Sequence, residues 1–514
     1  MGSSRVAEDV AAPESRWRAG RSAFFAPLVL SIGLAAVPFI GNDFVAYQIA
    51  LFLTYGIATQ GVALCWGRLG FLPLGHALFF GLGAYLAGGA LKAAAAQPAW
   101  YLALVPAVVA PALLAWTVAR LVFARSLKSG PYFSLITLAM TMLGFLAAQQ
   151  WSALTGGFNG LGGIPEPPGL DRFGTLYWLI AGVAVLTTAI LGALIRRPLG
   201  VLWSAIAQNE DRLQLFGYAT DHLKAAAYAL SALLAALAGA LFAMHQGIVT
   251  PLAMGFVLST EFVIWAAVGG KASPVGALLG AVIVGYASAE LRELFVSWEV
   301  FVGLLFILVV RFMPNGIAGL VAHRLGTGSA APGAGVPASP APATRAPTRV
   351  PSLAFEQVAA SQRGIGILSG LSFEVAGPGI RAVIGPNGAG KTSAFNAMTG
   401  RLPVRGGRVR LGDADITGHT AWRVARKGVG RKLQIPSVFA ELTVAQNLSV
   451  ALWAGRLAGP SALTMAPHGW RTELRDEMLA RFPELAAQLD APAGRLSQGH
   501  RQALELVMTV LPEP

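Results

Sequence analysis

Ten stretches of this chain are apolar enough to be weighed as bilayer crossings, and nothing else in the sequence limits its fold as much. They lie near 23–40, 44–65, 70–91, 100–119, 132–151, 175–195, 224–244, 256–270, 274–290 and 299–312. A helix needs about 20 mostly apolar residues to cross the hydrocarbon core. Only helices and closed barrels satisfy their backbone polar groups there without water. The last three stretches are short enough to be re-entrant or broken, so the expectation is an α-helical polytopic membrane domain of about 8–10 spans. Composition agrees: 55% of the 514 residues are hydrophobic and 12% charged, whereas a soluble domain is about a quarter charged.

The net charge of +13 does not argue for nucleic acid. The cations sit beside the apolar spans, and no basic stripe is interleaved with aromatics. The partner they imply is membrane lipid. Arg16, Arg18, Arg21, Arg68, Arg120, Arg125, Lys128, Arg196, Arg197, Arg212, Lys224, Lys271 and Arg311 fall on one set of loops; Lys92, Arg172 and Arg292 fall on the other. Positive loops stay cytoplasmic, which puts both ends of the bundle inside. The run 23–40 reads as a retained first helix, with a cleaved signal peptide as the competing reading. Cys65 is the single cysteine and lies in an apolar run, so it reads as packing.

Residues 325–350 are rich in Pro, Ala and Gly and lack apolar periodicity, as a linker does. The expected organisation is a cytoplasmic tail at 1–22, a membrane domain at 23–324, the linker, and a second domain at 351–514. There SLAFEQV and LSFEV alternate as strands do, and RAVIG reads as a short buried strand. It runs into IGPNGAGKTS, where Gly385, Pro386, Asn387, Gly388, Ala389, Gly390, Lys391, Thr392 and Ser393 carry the phosphate-loop pattern. The glycines let backbone N–H groups converge on an anion. The helix that follows turns its positive end to the same point. Lys391 is expected to reach the β- and γ-phosphates of ATP, and Thr392 to hold Mg²⁺.

Gln434 follows about forty residues after the loop, within RKLQIPSVFAELTVAQNLSVA, and RLSQGHRQALELVM begins at Arg495. Loop, glutamine and LS-x-G in that order resemble the nucleotide-binding domain of ABC transporters. The resemblance implies that Gln434 touches Mg²⁺ and the attacking water. It also implies that Leu496, Ser497, Gln498 and Gly499 form the signature that grips a γ-phosphate held by a partner domain. In the membrane half, LPLGHALFFGLGAYLAGG, GPYFSLITLAM, GGFNGLGGI and EFVIWAAVGGKASPVGALLGA resemble the permeases of the branched-chain amino acid and urea uptake family. On that resemblance, residues 200–224 are the cytoplasmic coupling segment, with Glu210, Asp211, Leu215 and Gly217 within it. The segment is also amphipathic and follows Arg196 and Arg197. The implied partners are a second permease subunit, a second ATP-binding subunit and a periplasmic substrate-binding protein.

The sequence departs from the family pattern in three ways. No aromatic precedes LSFEV to stack on adenine, leaving Arg363 as a substitute; His500 replaces the usual signature glutamine; and the apolar strand with the Walker B Asp and catalytic Glu, then the switch His, are not found before Pro514. The fold expected is therefore a partial α/β P-loop ABC domain, truncated before Walker B, in which the neighbours of that central strand lack ladder partners. Catalytic residues stay unassigned and ATP hydrolysis by this chain stays open. If the domain folds, Ser497 and Gly499 would still serve a composite site on a complete partner. The function implied is a permease/ATP-binding fusion of an inner-membrane importer. GRKLQIPSVF resembles urea-type ATPases more than amino-acid-type ones, and that resemblance tilts the substrate toward urea or a short amide, with branched-chain amino acids as the runner-up. The alternatives are a permease with a non-catalytic ATPase remnant and a membrane-anchored regulatory ATPase. Glu261 is either an intramembrane functional acid or solvated at the outer interface. His76 reads as a packing histidine, and Gly75, Gly81, Gly83, Gly88 and Gly89 as sites of close helix approach.

Overall fold

The computed structural model describes residues 14–94, 100–125, 130–292, 298–313, 315–324, 339–340, 351–362, 364–457, 463 and 470–514. The expected linker lies almost wholly outside them, as does the expected tail before residue 14; from Glu14 onward that tail is already helix α1 (Glu14–Ile40). The chain divides into two compact units: 1–196 with 221–335, and 197–220 with 336–514.

The first unit is helical: α1 (Glu14–Ile40), α2 (Asp43–Ala63), α3 (His76–Ala94), α4 (Val105–Arg125), α5 (Pro131–Gln150), the short α6 (Ser152–Thr155) and α7 (Thr175–Arg196). After the excursion of α8 (Pro198–Gln214) come α9 (Thr220–Gln246), α10 (Phe256–Gly269), α11 (Pro274–Arg292), α12 (Trp298–Phe312) and α13 (Gly316–Arg324). Among the described residues, eight helical stretches are long and apolar enough to cross a membrane; Pro27–Ile40 and Phe256–Gly269 are apolar but shorter. Each of the ten sequence stretches thus contains a helix. The tenth holds the 15-residue α12, and the apolar stretch continues into α13 as far as Val321.

The spans of α2 and α9 are the most buried in this unit, and small residues let α9 pack closely against α3. A Cβ on Gly83 would sit 2.2 Å from the Ala236 carbonyl oxygen, and one on Gly239 would sit 1.9 Å from that of Phe80, so α3 and α9 touch backbone to backbone. A Cβ on Gly75, Gly81 or Gly88 would lie 2.3, 2.2 or 2.7 Å from Thr137, Met254 and Ile164 respectively, whereas Gly89 has no neighbour within 4 Å. Where the backbone leaves the helix between Leu69 and Gly75, side chains satisfy it: Thr137 Oγ1 accepts the Leu74 N–H at 3.1 Å, and Ser134 donates to the Leu72 carbonyl at 2.5 Å. Apolar side chains of α4, α5, α7 and α12, among them Leu113, Leu143, Leu186 and Ile307, face outward, the arrangement a lipid-facing rim requires.

The glycine-rich stretch after α6 is anchored at the C-terminal end of α9. Leu161 and Val249 exchange backbone hydrogen bonds of 2.8 and 3.0 Å. Arg172 donates to the carbonyls of Met244 at 2.9 Å and Ile164 at 2.5 Å. Gly160 must be glycine here: its φ is +77° and a Cβ would lie 2.3 Å from the Val249 carbonyl oxygen.

In the second unit, β1 (Ser339–Pro340) pairs with β6 (Trp470–Arg471). A four-stranded antiparallel sheet has the order β3-β2-β4-β5, from β2 (Leu353–Gln362), β3 (Ile365–Val375), β4 (Val404–Leu411) and β5 (Ala414–Asp415). The alternating stretches SLAFEQV and LSFEV are its first two strands. Phe355, Val358, Leu368, Val409 and Ile416 form its core. α14 (Lys391–Met398), α15 (Ala421–Ala425), α16 (Val444–Trp453), α17 (Glu473–Arg481) and the helix Gln498–Val510 complete the unit with shorter turns. RAVIG is not the buried strand that its apolar run implies. Residues 379–386 are irregular, and Ile380, Val383 and Ile384 are 96, 53 and 91% exposed. A buried strand needs ladder partners, and no described strand runs beside this one.

Replacing Gly239 by Val should force the α3–α9 crossing apart and cost about 1–3 kcal/mol, read as a lower detergent melting temperature. Gly89→Ala, facing open space, should leave the midpoint unchanged or raise it.

Candidate functional site

The phosphate-loop residues lie together between β3 and α14. Gly385 through Ala389 are exposed. Gly388 and Gly390 take φ of +88° and +84°, the left-handed turns that point successive N–H groups to one side. α14 starts at Lys391, so its unpaired N–H groups open on the same loop. The Lys391 ammonium folds back onto the carbonyls of Gly385 and Pro386, at 2.6 and 2.7 Å. A cation held in the mouth of an exposed glycine loop fits a phosphate chain. Thr392 is exposed beside it and Ser393 half-buried. Arg363, the expected adenine contact, lies outside the described residues.

The LS-x-G stretch begins a helix as expected. Ser497 is the N-cap of Gln498–Val510, and its hydroxyl accepts the His500 N–H at 3.2 Å. Leu496 is buried and anchors the turn. Gln498 and Gly499 are exposed, and nothing lies within 4 Å of a Cβ built on Gly499. Gln434 is exposed in the irregular segment before α16.

The segment between α7 and α9 is not a solvated loop. Residues 197–220 belong to the same compact unit as 336–514. α8 is interrupted at Asn209 (φ −157°, ψ 84°), whose side-chain oxygen caps the resumed helix by accepting the Arg212 N–H at 2.9 Å. The same amide donates to Ser437 at 2.7 Å. Gln208 accepts the Glu441 N–H at 2.8 Å. Asp211 pairs with Arg401 at 2.7 Å. The Gly217 carbonyl, on a residue with φ +87°, accepts from Arg426 at 2.8 Å. Tyr218 donates to the Val450 carbonyl at 2.7 Å. Glu210 instead accepts from Thr220 within the segment, at 2.8 Å. Buried Leu215 lines a cavity of about 380 Å³ together with Arg426, Arg431 and Thr509.

The residue that sequence reasoning missed is Arg212, which it counted only as a cytoplasmic charge. Its side chain is fully buried. It donates to the Arg431 carbonyl at 2.8 Å and the Thr509 hydroxyl at 2.9 Å, and lies 3.6 Å from the Glu505 carboxylate. Burial lowers its pKa to about 10 against the opposing pull of Glu505. Glu505, also fully buried, accepts the Leu433 N–H at 3.0 Å, next to Gln434, and lies 3.5 Å from Lys432. The available signal was one charge in each of two apolar patterns: Arg212 beside Leu213, Leu215 and Phe216, and Glu505 among Leu504, Val507 and Met508.

In the membrane unit, His76 is buried and bonded through Nε2 to the Ser231 hydroxyl, the placement of a packing residue. Glu261 is half-buried in α10. Cys65 is buried.

Comparison with known proteins places these two units. The model of the family described as "branched-chain amino acid transport system / permease component" matches residues 44–310, and that of the ABC transporter matches 368–514. The chain is similar to the high-affinity branched-chain amino acid transport system permease protein LivM of Escherichia coli (strain K12), with 26% identity over 58% of this chain and 75% of LivM. It is also similar to the high-affinity branched-chain amino acid transport ATP-binding protein BraF of Pseudomonas aeruginosa, with 35% identity over 29% of this chain. The match spans 61% of BraF's length. A nucleotide-free ATP-binding cassette from an ABC transporter aligns at 26% identity and a TM-score of 0.26, covering 32% of this chain and 66% of that one.

Arg212→Ala would leave Glu505 with only Lys432 and the Leu433 N–H. We expect a loss of roughly 3 kcal/mol, the low end for breaking a buried pair. Limited proteolysis should then cut 336–514 faster while the membrane unit stays protected.

Proposed function

Because the chain belongs to the branched-chain amino acid transport permease family and carries an ABC-transporter domain on the same polypeptide, we propose that it is a permease/ATP-binding fusion subunit of an ATP-driven importer. It moves a small polar solute across the bacterial inner membrane into the cytoplasm. The observation that carries this reading is the packing of residues 197–220. They leave the membrane unit after α7, re-enter it at α9, and in between make eight polar contacts with the ABC fold, including a buried ion pair. A regulator that moves nothing has no need of such a junction.

In this reading Gly385 to Ser393 hold ATP, with Lys391 on its phosphates and Thr392 and Gln434 toward Mg²⁺. Bound Mg²⁺-ATP supplies the free energy of its hydrolysis. Leu496, Ser497, Gln498 and Gly499 face a nucleotide held by a second ATP-binding subunit. A second permease subunit and a periplasmic substrate-binding protein complete the assembly. The loop charges argue that the ABC domain is cytoplasmic. The similarity to LivM and BraF favours branched-chain amino acids over the urea or short amide to which GRKLQIPSVF tilts. Joining the two domains raises their effective concentration.

Fluorescent ATP should bind the full chain in nanodiscs and lose most of its affinity in Lys391→Ala. With partner subunits in proteoliposomes, ATP-dependent uptake of labelled leucine should exceed that of labelled urea; the reverse order would reassign the substrate. A cysteine placed at exposed Ala207 should resist membrane-impermeant reagents added to intact spheroplasts, and labelling there would exclude the orientation.

A further inference from the structure

We infer that Glu505 is a positioning residue through which the seating of Arg212 sets the placement of Gln434 and of the Ser497 helix end. The inference rests on the transporter reading above and adds a route by which the membrane-derived segment reaches two nucleotide-facing elements.

Three separate stretches of chain meet at one buried carboxylate. Arg212 arrives from α8, Leu433 and Lys432 from the segment that carries Gln434, and Glu505 itself from the helix that Ser497 opens. Leu433 is the residue before Gln434, so the hydrogen bond from its N–H fixes the backbone where that glutamine projects. Ser497 lies eight residues before Glu505, about 12 Å along a rigid helix. Arg212 also holds this helix directly through the Thr509 hydroxyl, and holds the Gln434 segment through the Arg431 carbonyl. A displacement of α8 therefore pulls on both elements at once.

Static adhesion does not account for the arrangement. A buried ion pair is often no more stabilising than apolar residues of the same volume. Here it is also incompletely satisfied. Arg212 Nε has no hydrogen-bond partner among the described residues, and Glu505 Oε2 has only the Lys432 ammonium 3.5 Å away, although both atoms are shielded from water. Unfilled capacity on buried charged groups is costly in a single fixed structure. It is expected where the same groups exchange partners between two states. The flanking pairs differ in kind: Asp211–Arg401 is partly solvated and fixes where the segment sits, without touching the residue before Gln434.

The test uses the full chain in lipid nanodiscs with bimane on Ile435→Cys, an exposed position beside Gln434; Cys65 is buried. Bimane emission is recorded with and without Mg²⁺-ATP in the parent, Glu505→Asp, Glu505→Gln, Arg212→Gln and the double Gln variant, alongside fluorescent-ATP affinity. The nucleotide-induced change should fall about fivefold or more in each variant. Affinity should stay within about twofold, and the double variant should be no worse than either single one, as coupled residues require. Glu505→Asp keeps the charge and withdraws it from the Leu433 N–H, so it tests the inference even if the Gln variants fail to fold. A parental response surviving in Glu505→Asp, additive effects in the double variant, or no bimane response in the parent despite bound nucleotide overturns the inference and spares the transporter reading. No nucleotide binding by the parent overturns both.

Discussion

A guanidinium that leaves water must recover its hydration from the protein, and the position of Arg212 follows from that requirement. Its side chain is fully buried, and its partners are an acid, a carbonyl and a hydroxyl drawn from two different parts of the ABC fold. Removing water from such a group costs several kcal/mol unless geometry and hydrogen bonds return it. The pairing is therefore restrictive: α8 seats where Glu505 is, and nowhere else on that surface. The interruption at Asn209 follows as well. A continuous helix would carry its axis straight on, whereas the break starts a new turn whose cap, the Asn209 side chain, takes the Arg212 N–H.

The membrane unit meets a different version of the same requirement. Its interior has few charges, so the difficulty lies with the backbone, and the solution is small residues and hydroxyls. Gly83 and Gly239 let α3 and α9 touch, while Thr137 and Ser134 serve the stretch that leaves the helix before His76. The two halves of the chain are thus held by different forces. One relies on close packing in an apolar medium, and the other on satisfying charges withdrawn from water.

The sequence showed the broad organisation because each feature was periodic or compositional. The ten apolar stretches each became a helix, the alternating runs at 353 and 371 became strands, and Ser497 became a cap. What stayed hidden depended on partners remote in sequence. RAVIG has the composition of an interior strand, but a strand is a property of its neighbours, and without one alongside it Ile380 and Ile384 face solvent. Arg212 and Glu505 are 293 residues apart, and each alone looks like an ordinary charge on an amphipathic helix. Among the candidates named beforehand, Asp211 and Gly217 meet the ABC fold by direct contact and Leu215 by burial, whereas Glu210 turns inward to Thr220. Spacing could mark the segment; it could not rank the residues within it.

The cap at Asn209 has a consequence for how such a chain can vary. Each residue added to a helix rotates everything beyond it by about 100°. One extra residue between Asn209 and Arg212 would swing the guanidinium off Glu505 and bring a neighbour with no use for a carboxylate into its place. Side chains along this stretch can be exchanged in moderation, but its length cannot drift. Recombinants that splice a foreign permease onto this nucleotide domain should succeed or fail on residue count here before they do so on identity.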